Sequence, residues 1–301
     1  MSTTNTDLST CANCGKGEEA AGDLKACTAC KMVKYCNREC QIEHRPQHKK
    51  ECKKRAAELH DIKLFKQPLL EDCPICMIPL PSSVLTTGYR YYTCCGKFIC
   101  SGCIHAVAMR DGGQGPCPFC RTPAATSEEE EFERNKKRAE VDDSFAVYNM
   151  GIYYNNGHVG LPRDRAKALE LWHRAGKLGC ASANYNLGTA YKNGNGVERD
   201  EKKAKLYLEL GAMKGDAWSR HNLANLEFNA GNYDRAIKHY MLAAGGGDNE
   251  SLTKIQMMKM VGNASDDDYM KALKSYQSHL DEIKSPQRDE AAAFDEGYKY
   301  C

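Results

Sequence analysis

The segments C73-P-I-C76, C94-C95-G-K-F-I-C100-S-G-C103 and C117-P-F-C120-R121 place eight cysteines, in four pairs, within about fifty residues. Zinc in structural sites takes four tetrahedral ligands, and thiolate is among its preferred ones. A C-x2-C turn offers two sulfurs from one bend of the chain, and two such pairs fill one metal. Eight paired cysteines therefore imply two zinc ions. So short a segment lacks a sufficient apolar core, so metal binding has to supply much of its folding free energy. Core thiols scattered by chance would not recur in pairs at this spacing.

Outward from this stretch, the cysteine distribution divides the chain. Of 17 cysteines, seven precede residue 60, eight lie between 73 and 120, and only Cys180 and Cys301 follow. That is the distribution of two metal modules followed by a metal-free region. At 301 residues, two or more units are expected. The net charge of +2 provides no global field towards nucleic acid or a membrane surface. The opening MSTTNTDLST is polar, without the apolar segment of a secretory signal, and no run is long enough to span a bilayer. Thiols in such a chain are expected as metal ligands in a reducing compartment, cytoplasmic or nuclear.

The first module is predicted over 11–66, after a disordered 1–10. Its candidate ligands are C11-x2-C14, C27-x2-C30, C36-x3-C40 and H48-x3-C52. Residues four apart share one helix face, so Cys36 with Cys40 and His48 with Cys52 can each grip one metal. Asn37 is placed to cap a first helix, and Pro46 suits the first turn of a second. Residues 11–66 carry thirteen Lys or Arg against eight Asp or Glu, a net of +5. Anionic metal–thiolate sites account for that local charge, and nucleic-acid binding would want interleaved aromatics and a broader basic face.

These residues resemble the MYND zinc finger, whose Y-C-x3-C-Q and H-K-x2-C elements stand here as Y35-C36-N-R-E-C40-Q41 and H48-K49-K-E-C52. The resemblance implies interleaved pairs: Cys11, Cys14, Cys36 and Cys40 on one zinc, and Cys27, Cys30, His48 and Cys52 on the other. It also implies binding of short proline-containing peptides. A Trp frequent in the family is replaced here by Arg45.

The second module, over 70–124, resembles a RING finger, which crosses its pairs in the same way. The resemblance implies one zinc on Cys73, Cys76, Cys100 and Cys103, and another on Cys94, Cys95, Cys117 and Cys120. Lys97 stands where common RING fingers place a His, so the adjacent Cys94 has to supply that ligand, with His105 as the fallback. RING fingers of the ubiquitin system dock a conjugating enzyme through an apolar residue in the first knuckle, a Pro in the last and an Arg just after it. Ile75, Pro118 and Arg121 occupy those positions; the family's frequent aromatic is missing from I104-H-A-V-A-M109. Alternatively, Ile75 is a core plug and Arg121 a solvated side chain.

Residues 125–143 read as an exposed helical linker. Ser127 is placed to cap it, acidic residues come first and basic ones last, which suits the helix dipole. From residue 144 the chain repeats: N149-M-G151-I-Y-Y154-N-N-G157 matches N186-L-G188-T-A-Y191-K-N-G194, and thirty-six residues separate Asp164 from Asp200 and Ala168 from Ala204. A third copy carries N222-L-A224 and D234-R-A236. A period in the mid-thirties built of helix pairs predicts an α-solenoid over 144–247, with Asp164, Asp200 and Asp234 capping second helices. The pattern resembles Sel-one-like repeats, with the third copy leaning towards the tetratricopeptide relative. Trp172, Tyr207 and Tyr240 are expected as packing residues and Cys180 as a buried thiol. Residues 248–284 are expected as capping helices, since a solenoid needs its open end covered, and 285–301 as a tail in which Ser285-Pro286 can start a short helix.

The expected fold is thus mostly α: two small cross-braced zinc fingers followed by a helix-pair solenoid. No phosphate-binding loop, Ser-His-Asp order or open metal site is present in the sequence. Two functions fit. One is a RING-type ubiquitin ligase that recruits substrates through solenoid and MYND finger and acts by positioning a conjugating enzyme. The other is a non-catalytic adaptor with two zinc-stabilised docking faces and a protein ligand on the solenoid. Only the first needs Ile75, Pro118 and Arg121. Four zinc ions per chain are expected.

Overall fold

Side-chain caps start most helices of this protein, and glycines stop several. A computed structural model describes residues 8–68, 71–81, 88–112 and 115–299. Asn37 accepts from the Cys40 N–H, and Ser127 from the Glu130 N–H. Asp143, Asp164, Asp200, Asp216 and Asp248 do the same for later helices. Each satisfies an otherwise orphaned N–H, a contribution of about 1 kcal/mol. Gly157 and Gly194 end helices in the left-handed region at φ 72° and 74°, where glycine meets no Cβ penalty. Of the segment expected to be disordered, residues 1–7 lie outside the described residues, as does Cys301.

The chain forms two compact units, Met1–Lys66 and Gln67–Cys301. The first holds α1 (Glu18–Ala21), an antiparallel pair β1 (Lys25–Ala26) and β2 (Lys34–Tyr35), and the long α2 (Arg38–Leu64). Two helices were expected here, parted at Pro46; one helix runs through it. Proline forfeits one backbone hydrogen bond, but side chains bridge that turn. Tyr35 Oη lies 3.0 Å from His44 Nδ1, and the His44 ring stacks on His48 at 5.6 Å. The core is small and sulfur-rich: Cys11, Cys27, Cys30 and Cys40 with Leu24, Val33 and Tyr35.

The second unit begins with β3 (Tyr89–Tyr92) paired antiparallel to β4 (Lys97–Cys100), then α3 (Ser101–Arg110). α4 (Glu128–Glu140) leads into helix pairs α5 (Ser144–Asn156) with α6 (Arg165–Lys177), α7 (Ala181–Asn193) with α8 (Glu201–Met213), and α9 (Ala217–Asn229) with α10 (Tyr233–Ala244). α11 (Asn249–Met260) and α12 (Asp266–Ile283) pack on α10, and α13 (Pro286–Phe294) follows, with a 3-10 turn over Glu296–Tyr298. Buried alanines at matching positions, Ala168, Ala204 and Ala236, let successive helices approach closely. Gly151 leaves room for the Trp172 indole. Trp172 and Tyr240 are buried, and Tyr207 is half-buried with its hydroxyl 3.2 Å from His173 Nδ1.

Three local expectations are corrected. α4 is not an exposed spacer: Asn135 and Ala139 are buried, and the helix packs on α5. Its stripe of Phe132, Asn135 and Ala139 has helical spacing, and the many charges around it hid that face. Asp234 does not cap α10; the shorter loop starts the helix earlier, at an Asn232 N-cap whose side chain donates to Glu227 instead. The C-terminal segment is not a free tail, because α13 lies against α3.

The second finger is built into its unit. Tyr91, Phe98 and Phe145 form a three-ring cluster with centroids 4.8 to 5.3 Å apart. Arg138 of α4 donates to the Tyr91 hydroxyl at 3.2 Å and to the Asp143 carboxylate at 2.7 Å. The same carboxylate caps α5.

Candidate metal centres

Sixteen donors gather into four groups, each with its donor atoms within 4.8 Å of one another. They are Cys11, Cys14, Cys36 and Cys40; Cys27, Cys30, His48 and Cys52; Cys73, Cys76, Cys100 and Cys103; and Cys94, Cys95, Cys117 and Cys120. In both fingers a pair from early in the module joins a pair from late in it, so each finger is cross-braced.

The spacing fits zinc. Thiolates at a Zn–S distance of about 2.3 Å on a tetrahedron lie about 3.8 Å apart. Here Cys14 and Cys36 are 3.7 Å apart, Cys27 and Cys52 3.7 Å, Cys76 and Cys100 3.7 Å, and Cys95 and Cys117 3.8 Å. Disulfides would need about 2.05 Å. His48 Nε2 approaches the Cys30 sulfur at 3.2 Å, shorter as an Sγ–N edge should be.

One backbone device recurs at four knuckles. The residue after the second cysteine donates its N–H to the carbonyl of the first: Gly15 to Cys11, Lys31 to Cys27, Met77 to Cys73 and Arg121 to Cys117, at 2.9 to 3.0 Å. Closing that turn drives the donor residue into the left-handed region, with φ of 73°, 59°, 56° and 64° in the same order. Only Gly15 accepts this freely; the others store strain of about 1 kcal/mol each. Gly15 hinted at this at one knuckle, but the sequence did not reveal the conformation at Lys31, Met77 and Arg121.

Charge explains why a cation belongs in each site. Burial would raise the Cys11 thiol, but the backbone N–H groups of Cys14, Cys36 and Asn13 outweigh it and bring it down to about 6. Burial likewise opposes ionisation of Cys27, yet the Cys30 amide and His48 bring it down to about 6. Their neighbours move the other way: the contact with Cys40, then burial, pushes Cys36 up to about 12, and burial with the contact to Cys27 does the same to Cys52. One thiolate in each group thus opposes the next. A divalent cation removes that conflict and favours all four donors in their ionised or neutral ligating forms.

His105, the fallback ligand, stands outside the groups, as does His44 of the first finger. His44 is held by Tyr35, and His105 is buried against Phe294, at 4.9 Å between rings. Cys94, beside Cys95, lies 3.4 Å from Cys120. Cys180 is buried in the solenoid, and burial pushes its thiol up to about 12. The proposed docking residues do not share one exposure. Ile75 is 42% exposed and Arg121 is exposed, but Pro118 is buried, turned into a cavity of about 820 Å³ with Ile104, Met109 and Arg134. Thr122, Pro123, Ala124 and Ala125, on the way to α4, line the same cavity.

The MYND finger family matches residues 11–52, and the Sel1 repeat matches 144–180 and 181–216. The chain carries a zinc-binding MYND finger and Sel1 repeats. Among curated proteins, it is 33% identical over 113 residues to the Arabidopsis thaliana ERAD-associated E3 ubiquitin-protein ligase component HRD3B, covering 37% of this chain and 18% of that one. It is 31% identical over 129 residues to the putative sel1-like repeat-containing protein L21 of Acanthamoeba polyphaga mimivirus, covering 42% and 23%. The chain spans less than a quarter of the length of these relatives. A solved Sel1 repeat protein from Oxalobacter formigenes superposes with a TM-score of 0.46 at 22% identity, over 60% of this chain and 71% of that one. MYND finger and Sel1 repeats together make this a zinc-binding protein-interaction chain. Among the described residues, no helix is long and apolar enough to cross a membrane.

Proposed function

We propose that this protein is a multi-site adaptor carrying four zinc ions, one per donor group, and that its second finger presents a ubiquitin-conjugating enzyme to bound substrates. The MYND finger would take a short proline-containing peptide and the Sel1 repeats a folded or helical protein segment. The observation that carries the ubiquitin reading is Arg121. It follows the last donor, Cys120, its backbone is anchored by the bond to Cys117, and its side chain is exposed. A planar five-donor fork in that position can bridge acceptors on two proteins at once. Ile75, on the first knuckle, supplies exposed apolar area. HRD3B, described as a component of a ubiquitin ligase, supports placing the chain in that system. With Pro118 covered, the docking face is narrower than in the RING fingers it resembles. Thiols held at zinc spacing suit a reducing compartment, cytoplasm or nucleus.

The test is a purified reaction of the zinc-loaded chain with ubiquitin, activating enzyme, ATP and a panel of conjugating enzymes. Autoubiquitination is expected. Arg121→Ala should reduce transfer while zinc content and conjugating-enzyme binding persist. Ile75→Ala should weaken docking itself, by about 1–2 kcal/mol. Absence of transfer with every conjugating enzyme removes the ligase reading and leaves the adaptor.

A further inference from the structure

Arg288, in the first turn of α13, is fully buried, and among the described residues its guanidinium has no carboxylate partner. One terminal nitrogen donates to the Pro79 and Ile283 carbonyls at 2.8 and 2.7 Å, the other to the Ile78 carbonyl at 3.2 Å. Its Nε is buried without an acceptor. Burying a charge against neutral acceptors alone is costly. The arrangement clamps α13 onto the second finger. Ile78 and Pro79 follow the knuckle of Cys73 and Cys76. Gly102, between Cys100 and Cys103, lies so close that a Cβ there would come within 2.9 Å of the Arg288 backbone nitrogen. Further along, Ala291 is buried, and Phe294 and Tyr298 pack on His105 at 4.9 and 5.8 Å.

The head of the same helix reads Ser285-Pro286-Gln287-Arg288. Ser285 is the N-cap, its hydroxyl accepting from the Arg288 N–H at 3.3 Å, and Pro286 is the first helical residue. A serine followed by proline, with a basic residue three positions on, is the pattern read by proline-directed serine/threonine protein kinases that favour a basic residue there. Among the described residues the other Ser- or Thr-Pro pair, Thr122-Pro123, has Ala125 at the third position and so lacks that feature. We propose that Ser285 is a phosphorylation site, available to such a kinase only when α13 lifts from the finger, and that the phosphate then holds the helix off.

Docked, Arg288 is inaccessible, so the kinase cannot read it. Lifted, it is free. Ser285 Oγ attacks the γ-phosphorus of ATP, an O–P bond forms, the bond to the β,γ-bridging oxygen breaks and ADP leaves. The hydroxyl proton passes to a base of the kinase. The new group brings about −1.5 to −2 charge to a helix N-terminus, three residues from Arg288 on the same face. Arg288 then exchanges three neutral carbonyls for charged acceptors, which bind a guanidinium about twice as strongly, and its unused Nε–H gains a partner. Docked, the guanidinium is committed to Ile78, Pro79 and Ile283 and cannot make that exchange. The inference is independent of whether the finger acts on ubiquitin.

The experiment treats the zinc-loaded full chain with a proline-directed kinase and Mg-ATP. It follows the rate of phosphate incorporation at Ser285 by peptide mass spectrometry and amide hydrogen exchange over α13. Ala291→Lys opens the dock without touching the kinase motif; Gly102→Ala does so from the other side, with zinc content checked. Because the rate follows the open fraction, both should be phosphorylated at least about fivefold faster than the unaltered chain. Ser285→Ala should take no phosphate in this segment. After modification, amides of residues 289–294 in the unaltered chain should exchange at least about tenfold faster while those of α7 and α8 do not change. Equal rates in the unaltered chain and both opened variants would overturn the gating. Unchanged protection after modification would overturn the release. No phosphate at Ser285 even in the opened variants would overturn the site.

Discussion

Gly96 sits where the second finger meets the solenoid, and adding one methyl there tests that junction. Gly96 has φ 70°, so Gly96→Ala forces a side chain into the left-handed region at about 1 kcal/mol. The new Cβ would also fall on the Arg138 guanidinium and 2.6 Å from Asp143 Oδ2. An arginine tip can usually swing away, but this one holds Tyr91 at 3.2 Å and Asp143 at 2.7 Å, and both side chains of the ion pair are largely buried. Moving it forfeits those bonds, a further cost of about 1–2 kcal/mol. We expect a total loss of about 2–3 kcal/mol, read as a lower urea midpoint of the helical circular-dichroism signal, with zinc content unchanged. In an Arg138→Ala background the guanidinium is gone, so the cost of Gly96→Ala should fall by the part Arg138 contributes, leaving the backbone strain of about 1 kcal/mol and the close approach to Asp143. If the methyl costs the same in both backgrounds, the collision with Arg138 is not its cause.

Other contacts carry three further expectations. Elemental analysis of chain purified without chelator should find four zinc ions, and Cys180→Ser should leave the number unchanged because Cys180 belongs to no donor group; two or fewer would contradict the double-finger reading. Met77→Gly and Lys31→Gly should each stabilise the zinc-loaded protein by about 0.5–1 kcal/mol by relieving left-handed strain, and destabilisation would show that those side chains matter more than their backbones. Burial opposes ionisation of Glu227, but bonds from Lys205 at 2.7 Å and Asn232 at 2.8 Å outweigh it and hold its carboxyl below the usual range. A depressed folded value means stability that is present above about pH 4.3 and is lost as pH falls through the folded value. Glu227→Gln should therefore cost about 2 kcal/mol near neutral pH. That gap in urea midpoint should shrink on acidification, and a gap constant with pH would refute the assignment.

Local chemistry made much of the site readable. Donor pairs at Cys73 and Cys76 or Cys117 and Cys120 declare themselves because a knuckle needs both sulfurs within one turn. The helix-pair period declares itself because every repeat has to bury the same face, as at Ala168, Ala204 and Ala236. The α4 face was harder to see, since Phe132, Asn135 and Ala139 lie among a run of glutamates and lysines. The cap of α10 was misplaced because a shortened loop moves the helix start without changing the residues that resemble a cap.

What the sequence alone determined about this protein is which cysteines and histidine pair into candidate donor groups, the helical repeat and the order of its modules. These depend on residues a few positions apart, or on a pattern that recurs. Only the tertiary structure decided that the second finger is fastened to the helical array, that Pro118 is covered, and that the last helix is clamped by Arg288. Tyr91 meets Arg138 across 47 positions and Ile78 meets Arg288 across 210. Each of those contacts is made once, between side chains and carbonyls that any of many residues could supply. Neither spacing nor periodicity marks them in the chain.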